Sequence, residues 1–284
     1  MGDVRHADGF FVVRPGLSLY HQEWTTANAR VPLVILHGGG DHSGRHAETA
    51  GRLAREGYAV HVPDLPGHGR SPGKRGHIGR FEEYVASVRA FIEEVSRRFP
   101  GRKPVLLGHS LGGLVGTRYA IRHGETIRCL VLSSPLWGLN FRVPLWQRFL
   151  ARLLLPIWPS FTMNRPQVGE DALSHDLQVT LLYTRDPLVH HKASVRFYAE
   201  IIRQIRELPF ALPELKVPTL ILQAGADRVV SPQATERFFP LLGSTRKKLI
   251  LYEGYYHEVL HEVDKERVFR DLSAWLKPIV ADGV

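Results

Sequence analysis

The chain has 284 residues, of which 44% are hydrophobic and 23% charged, with a formal net charge of +9 and a single cysteine, Cys129. This length suffices for a sizeable core, since chains of such size withdraw roughly three-quarters of their unfolded surface from water, and the composition excludes a disordered or fibrous polypeptide. One cysteine excludes an intramolecular disulfide, scattered Lys and Arg without an aromatic-interleaved basic stripe argue against nucleic acid as a partner, and no window approaches the roughly 20 apolar residues of a membrane span.

The amino-terminal Met1-Gly2-Asp3-Val4-Arg5 lacks the apolar stretch of a secretory signal, so the expected location is cytoplasmic. The basic balance favours weak attraction to anionic lipid surfaces. Cys129 lies in an apolar run and reads as a small buried hydrophobe. Nothing in the sequence sets the oligomeric state.

Apolar, β-branched runs alternate with helical patterns, which predicts a mostly parallel sheet covered by helices. Val31–Leu36 reads as a buried strand running into His37-Gly38-Gly39-Gly40. A helix is expected over 45–56, stopped by Gly57, and then a strand over 58–62 closed by Pro63-Asp64. Helical period marks 81–99, with Phe81, Tyr84, Val85, Val88, Phe91, Ile92 and Val95 on one side. A short strand over 105–107 leads to a helix over 111–122 and a strand over 127–132. From 136 to 213 the rhythm changes to Trp-, Leu-, Arg- and Pro-rich helical patterns, too long for a plain loop. Strands return over 219–223 and 249–252, with a helix over 232–241 between them and a last helix over 264–276. The expected organisation is a core domain of 1–135 and 214–284 interrupted by a helical insertion of 136–213.

Gly108-His109-Ser110-Leu111-Gly112-Gly113 sits between a predicted strand and a predicted helix, the context that a G-x-S-x-G nucleophile turn requires. The turn is too sharp for a Cβ beside the serine, and the following helix aims its amino-terminal amides at a developing oxyanion. A serine hydroxyl needs a histidine to take its proton and a carboxylate to fix that histidine's tautomer, here in the order Ser, acid, His. His257, after the last strand and before the last helix, fits the histidine, and His261 is its competitor. Asp227 follows the first strand after the insertion and fits the acid, although a turn or helix-cap aspartate is common in such a place. Asp264 breaks the order and reads as a helix cap. The oxyanion amides are expected from Leu111 and Gly39.

Five stretches carry a family likeness: 37–45, Asp64-Leu65-Pro66-Gly67-His68-Gly69-Arg70-Ser71, 108–113, Thr184-Arg185-Asp186-Pro187-Leu188-Val189, and Tyr256-His257-Glu258. On these the chain resembles the monoacylglycerol lipase and lysophospholipase branch of the α/β-hydrolases. The resemblance implies the α/β-hydrolase fold, an esterase acting on single-chain acyl lipids, the 136–213 insertion as a cap over the site, and the roles assigned above to Ser110, Asp227, His257, Gly39 and Leu111. His46 stands where the family often has an aromatic residue.

The 144–154 segment is amphipathic, with Leu145, Trp146, Phe149, Leu150, Leu153 and Leu154 on one broad side and Arg148 and Arg152 opposite. Such a helix either covers the cleft or lies in a membrane interface as a peripheral contact, and the two are compatible. His37, Trp137, Leu139, Leu145, Trp146, Phe149 and Leu150 are the expected substrate contacts, a lining suited to an acyl chain. His175, Asp176 and Asp186 are open between head-group contact and capping or salt-bridge roles. No metal-ligand spacing or phosphate-cradling loop is present, and the chemistry calls for no cofactor.

Overall fold

The computed structural model describes residues 3–141, 143–164 and 172–281, without the side chains of Gln147 and Arg148; Met1-Gly2 and the basic flank at Arg148 lie outside the described residues. Two strands that the apolar pattern did not announce open the chain. β1 (Arg5–Arg14) and β2 (Leu17–Thr25) pair antiparallel across Pro15-Gly16, where Gly16 takes φ 79°. β1 is a sheet edge and buries little beyond Phe11, so it lacks the continuous apolar run that identifies an interior strand.

The expected alternation follows: β3 (Val31–Leu36), α1 (Ala47–Arg55), β4 (Tyr58–Pro63), α2 (Glu82–Arg98), β5 (Val105–His109), α3 (Leu111–His123) and β6 (Cys129–Ser133). Between β6 and the next sheet strand lie α4 (Leu145–Ile157), β7 (Thr162–Asn164), α5 (Leu177–Arg185), β8 (Lys192–Ser194) and α6 (Val195–Ala211). The chain then returns through β9 (Thr219–Ala224), α7 (Pro232–Phe238), β10 (Lys247–Tyr252) and α8 (Lys265–Ala281). Among the described residues the main sheet runs β1-β2-β4-β3-β5-β6-β9-β10, parallel from β4 to β10.

Period-two alternation divides the core. Val34, Leu36, Leu106, Leu130 and Leu132 pack with Tyr84, Val88 and Phe91 of α2 and Leu114 and Val115 of α3. Leu33, Ile35, Val105, Leu107 and Val131 pack on the opposite side with Leu53 of α1 and Val268, Phe269 and Leu272 of α8. Each such side chain contributes about 1.5–3 kcal/mol on leaving water. Both sides of the central strands are therefore dry, which is why they read as unbroken apolar runs. Cys129 is fully buried among the second group.

The helix expected from residue 45 starts later. Residues Ser43–His46 form a 3-10 turn instead, because the His42 Nδ1 accepts the Gly44 amide and caps it. The Asp64 loop is a knot of backbone bonds: its carboxylate accepts the Ser43 and Arg70 amides, both at 2.7 Å, while Ser71 Oγ donates to the Asp64 carbonyl. This ties the loop after β4 to the loop after β3.

The insertion is held unevenly. α6 buries Val195, Phe197, Ile201 and Leu208, its Glu200 accepts the Phe81 amide at 3.0 Å, and its Arg203 pairs with Glu82. On α4, by contrast, Leu145, Trp146, Phe149, Leu153 and Ile157 are exposed.

Candidate active site

At the junction of β5 and α3, Ser110 adopts φ 52° and ψ −114°. A non-glycine residue in that region is strained and persists only where its surroundings over-determine it. Here the Ser110 amide donates to the Ser133 carbonyl at 3.0 Å, and its own carbonyl accepts the Leu114 and Leu136 amides. The crossing requires glycine on either side. A Cβ on Gly108 would lie 2.4 Å from the Gly112 carbonyl oxygen, and one on Gly112 would lie 2.2 Å from that of Leu36.

Asp227 follows β9 in a loop clasped from the β6 side: Asn140 donates its amide to the Val229 carbonyl and its side chain to the Asp227 carbonyl. One carboxylate oxygen of Asp227 accepts the Val229 and Val230 amides at 2.8 and 2.9 Å. The other lies 2.7 Å from His257 Nδ1. A carboxylate only accepts, so Nδ1 carries the proton and Nε2 is left as the basic nitrogen. Burial opposes charge on His257, but the Asp227 carboxylate, with Glu258 and Asp41 beyond it, outweighs this and raises its pKa. Its neighbour His109, with ring centroids 4.8 Å apart, is driven the other way, well below the usual range, by burial and by the His257 charge.

His261 belongs to a different set of bonds, its Nδ1 lying 2.9 Å from Glu258 and its Nε2 3.5 Å from Thr49 Oγ1. Asp264 accepts the Tyr255 hydroxyl. The alternatives to His257 and Asp227 thus have other partners.

Ser110 and His257 open into one cavity of ≈ 660 Å³, also lined by Gly38, Gly39 and Leu111. The Gly38 amide is engaged by Asp41 Oδ2 at 3.3 Å, and Gly39, the next residue, lines the cavity. Leu111 is the first residue of α3, where an amide has no partner within its own helix. The wall is mainly apolar, from Leu136, Leu139, Phe141, Val143, Phe197 and Ile201 among others. Among the described residues no group of three or more His, Cys, Asp or Glu side chains is arranged to hold a metal ion.

Several expected substrate contacts need correction. Leu139 lines the cavity, but His37 and Trp137 do not. His37 is fully buried, its Nδ1 donating to the Gly38 carbonyl at 2.8 Å and its Nε2 accepting the Leu65 amide at 2.9 Å. Trp137 is fully buried in the core and donates to Thr117 Oγ1. Leu145, Trp146 and Phe149 are exposed outside the cavity, and Leu150 is half-buried outside its lining; the turn of α4 gives Ala151 to the cavity instead. Amphipathic period reveals a stripe, not the direction in which the fold turns it.

The open polar residues also resolve. Asp176 caps α5 by accepting the Gln178 amide, His175 pairs with Glu262 and stacks on Tyr256, and Asp186 accepts from His42 at 2.8 Å. Since His42 Nδ1 accepts the Gly44 amide, its Nε2 holds the proton given to Asp186. Asp41, Arg45, Thr180, Tyr183 and Glu258 are cavity residues to which the sequence reading gave no role, although 37–45 and the His257-Glu258 pair were conspicuous as motifs. His46 is buried and bonds Asp41 at 3.0 Å, which accounts for an imidazole at that position.

Residues 27–264 match the family model described as serine aminopeptidase, S33. The monoglyceride lipase of Homo sapiens is 30% identical over 92% of this chain and 87% of its own length. Phospholipase YtpA of Bacillus subtilis is 33% identical over 89% of this chain and 97% of its own. The crystal structure of the Paleococcus ferrophilus monoacylglycerol lipase superposes with a TM-score of 0.83 at 32% identity, covering 93% of this chain and 98% of that one. With the strained serine, the parallel sheet and these likenesses in agreement, the chain belongs to the serine aminopeptidase S33 family, in the monoacylglycerol lipase branch of the α/β-hydrolases.

Proposed function

We propose that this protein is a serine carboxylic-ester hydrolase that cleaves monoacylglycerol to glycerol and free fatty acid. The observation that carries the reading is a single cavity joining Ser110 and His257 to a long apolar wall, with the polar groups Thr180 and Tyr183 also on it. That division suits an amphiphile with one acyl chain and a small hydroxylated head.

In this reading His257 Nε2 takes the Ser110 proton as Oγ attacks the ester carbonyl. The Gly39 and Leu111 amides hold the oxyanion, and Asp227 stabilises the imidazolium. Collapse of the tetrahedral intermediate breaks the bond to the glycerol oxygen, which receives the proton from His257. Water then gives a proton to His257 and attacks the acyl-enzyme, releasing the fatty acid and restoring Ser110. The 136–213 insertion acts as the cap over this site. Exposed Leu145, Trp146, Phe149, Leu153 and Ile157 support peripheral docking of that cap on a lipid surface. Leu177, both exposed and part of the cavity lining, belongs to the mouth.

A fluorophosphonate probe is expected to label the native protein and to fail on Ser110→Ala. Rates over monoacylglycerols of several chain lengths, lysophosphatidylcholine and a p-nitrophenyl ester then test the substrate. Equal or faster turnover of the short aryl ester overturns the lipid assignment. Lysophospholipid is the second substrate reading, favoured by the phospholipase named among the relatives.

A further inference from the structure

Arg45 and Glu258 line the cavity, yet they bond each other and the surrounding protein. Arg45 donates through one terminal nitrogen to Asp41 at 3.2 Å and through the other to both Glu258 oxygens at 3.0 and 2.9 Å. Glu258 also meets His261 at 2.9 Å, and Asp41 meets His46. All three charges are buried. Burial opposes ionisation of each, but Arg45 holds both carboxylates well below their usual range and they in turn raise the guanidinium.

Following the bonds shows what the chain connects. At one end Asp41 Oδ2 engages the Gly38 amide, next to the oxyanion donor Gly39. At the other end Glu258 is covalently next to His257. The Glu258 amide donates to the Leu173 carbonyl at 2.8 Å, and the Arg45 guanidinium lies over the Tyr183 ring at 4.6 Å, so the insertion is joined to the same groups. A buried ionic chain is a poor device for stability, because well-packed apolar residues serve as well or better. Its advantage is direction and length. Misplacement of a reacting group by 1 Å costs on the order of 10²-fold in rate.

We propose that Asp41, Arg45 and Glu258 form a positioning brace that holds the oxyanion loop and the general-base loop in register for ester hydrolysis. This rests on the reading of Ser110 and His257 given above. The brace residues act through Gly39 and His257 and are not substrate-binding groups.

The test compares Glu258→Gln, which keeps the shape and removes the charge, with Arg45→Lys, which keeps the charge and loses the two-pronged contact. Rates are referred to sites titrated with the fluorophosphonate. Both variants are expected to lose about 10²-fold in kcat with KM within about threefold of native. The titratable groups facing His257 are Asp227, Glu258, Asp41 and His109, and those facing Glu258 are Arg45 and His261. Removing the Glu258 charge makes the His257 proton easier to lose, so the acid limb of kcat/KM moves to lower pH in Glu258→Gln. A rise in KM with kcat kept makes these residues substrate contacts and overturns the brace. A lower melting temperature with native kcat per titrated site and an unmoved acid limb makes them merely structural and overturns it too. If Glu258→Gln does not fold, the kcat-against-KM division in Arg45→Lys decides. Failure to label the native protein overturns the Ser110 reading, whereas a labelled native protein with unaffected variants overturns the brace alone.

Discussion

Replacing Asp227 by asparagine separates the two services that its carboxylate performs. One oxygen is pinned by the Val229 and Val230 amides, at 2.8 and 2.9 Å, and the other faces His257 Nδ1 at 2.7 Å. The new side chain must keep its oxygen toward the two backbone donors. Reversing it forfeits two hydrogen bonds, about 0.5–1.5 kcal/mol each, and sets donor against donor. The NH2 group is therefore directed at Nδ1, which becomes an acceptor, and the imidazole proton moves to Nε2. A histidine protonated at Nε2 cannot take the Ser110 proton. Shape is preserved, so the loss falls on the chemistry: about 10⁴-fold in kcat, equivalent to about 5.4 kcal/mol at 1.36 kcal/mol per decade. Steady-state hydrolysis of monoacylglycerol and the rate of fluorophosphonate labelling measure it, with thermal unfolding as a control for folding. A kcat within tenfold of native, in a folded protein, refutes the tautomer argument and with it the assignment of Asp227.

Three further outcomes follow from the same geometry. Gly112→Ala places a methyl 2.2 Å from the Leu36 oxygen and 2.6 Å from that of His37; because both are backbone atoms, α3 must shift, with an expected loss of about 1–3 kcal/mol visible as a drop in Tm and slower probe labelling, and native-like values in both contradict the close crossing. Serine at Leu145, Trp146 and Phe149 together is expected to weaken co-sedimentation with anionic vesicles at least about tenfold, given about 1.5–3 kcal/mol for each large side chain that leaves water, while soluble-ester turnover stays native; unchanged vesicle binding refutes the docking surface. The raised His257 pKa places the acid limb of kcat/KM above 6.5, the ordinary histidine value. By linkage, its protonation stabilises the fold below the unfolded-state pKa, and that contribution is lost as pH rises through the folded-state value. A pH series of Tm for native protein against His257→Gln checks the sign, and a difference that grows toward high pH counts against it.

The central strands were legible because a buried parallel strand is apolar on both sides and declares itself as a run, as in Val31–Leu36. The Ser110 turn was legible for a related reason: Gly108 and Gly112 are demanded by backbone crossings too close for any Cβ, and a demand for glycine shows in the sequence as glycine. Asp227 was favoured by the order Ser, acid, His and His257 over His261 by its loop position after the last strand, and their 2.7 Å contact agrees with that reading. What local pattern did not decide depends on which surfaces meet. The β1–β2 hairpin is half-exposed and is held by pairing with β4 and by the burial of Phe11, Leu19 and Trp24. The stripe on α4 was visible, but its direction is set by α6 and the cavity, which take Ala151 and leave Trp146 and Phe149 outside. His37 and Trp137 look like lining beside the motifs and are core, since their polar atoms bond to Leu65 and Thr117. The link from Arg45 to Glu258 spans 213 positions in the chain. Sequence by itself pointed to Ser110 and to the sheet that carries it, because glycine-flanked turns and apolar runs show in the residues themselves; only the tertiary structure decided which charges and which apolar faces surround that serine, because these depend on contacts between distant segments.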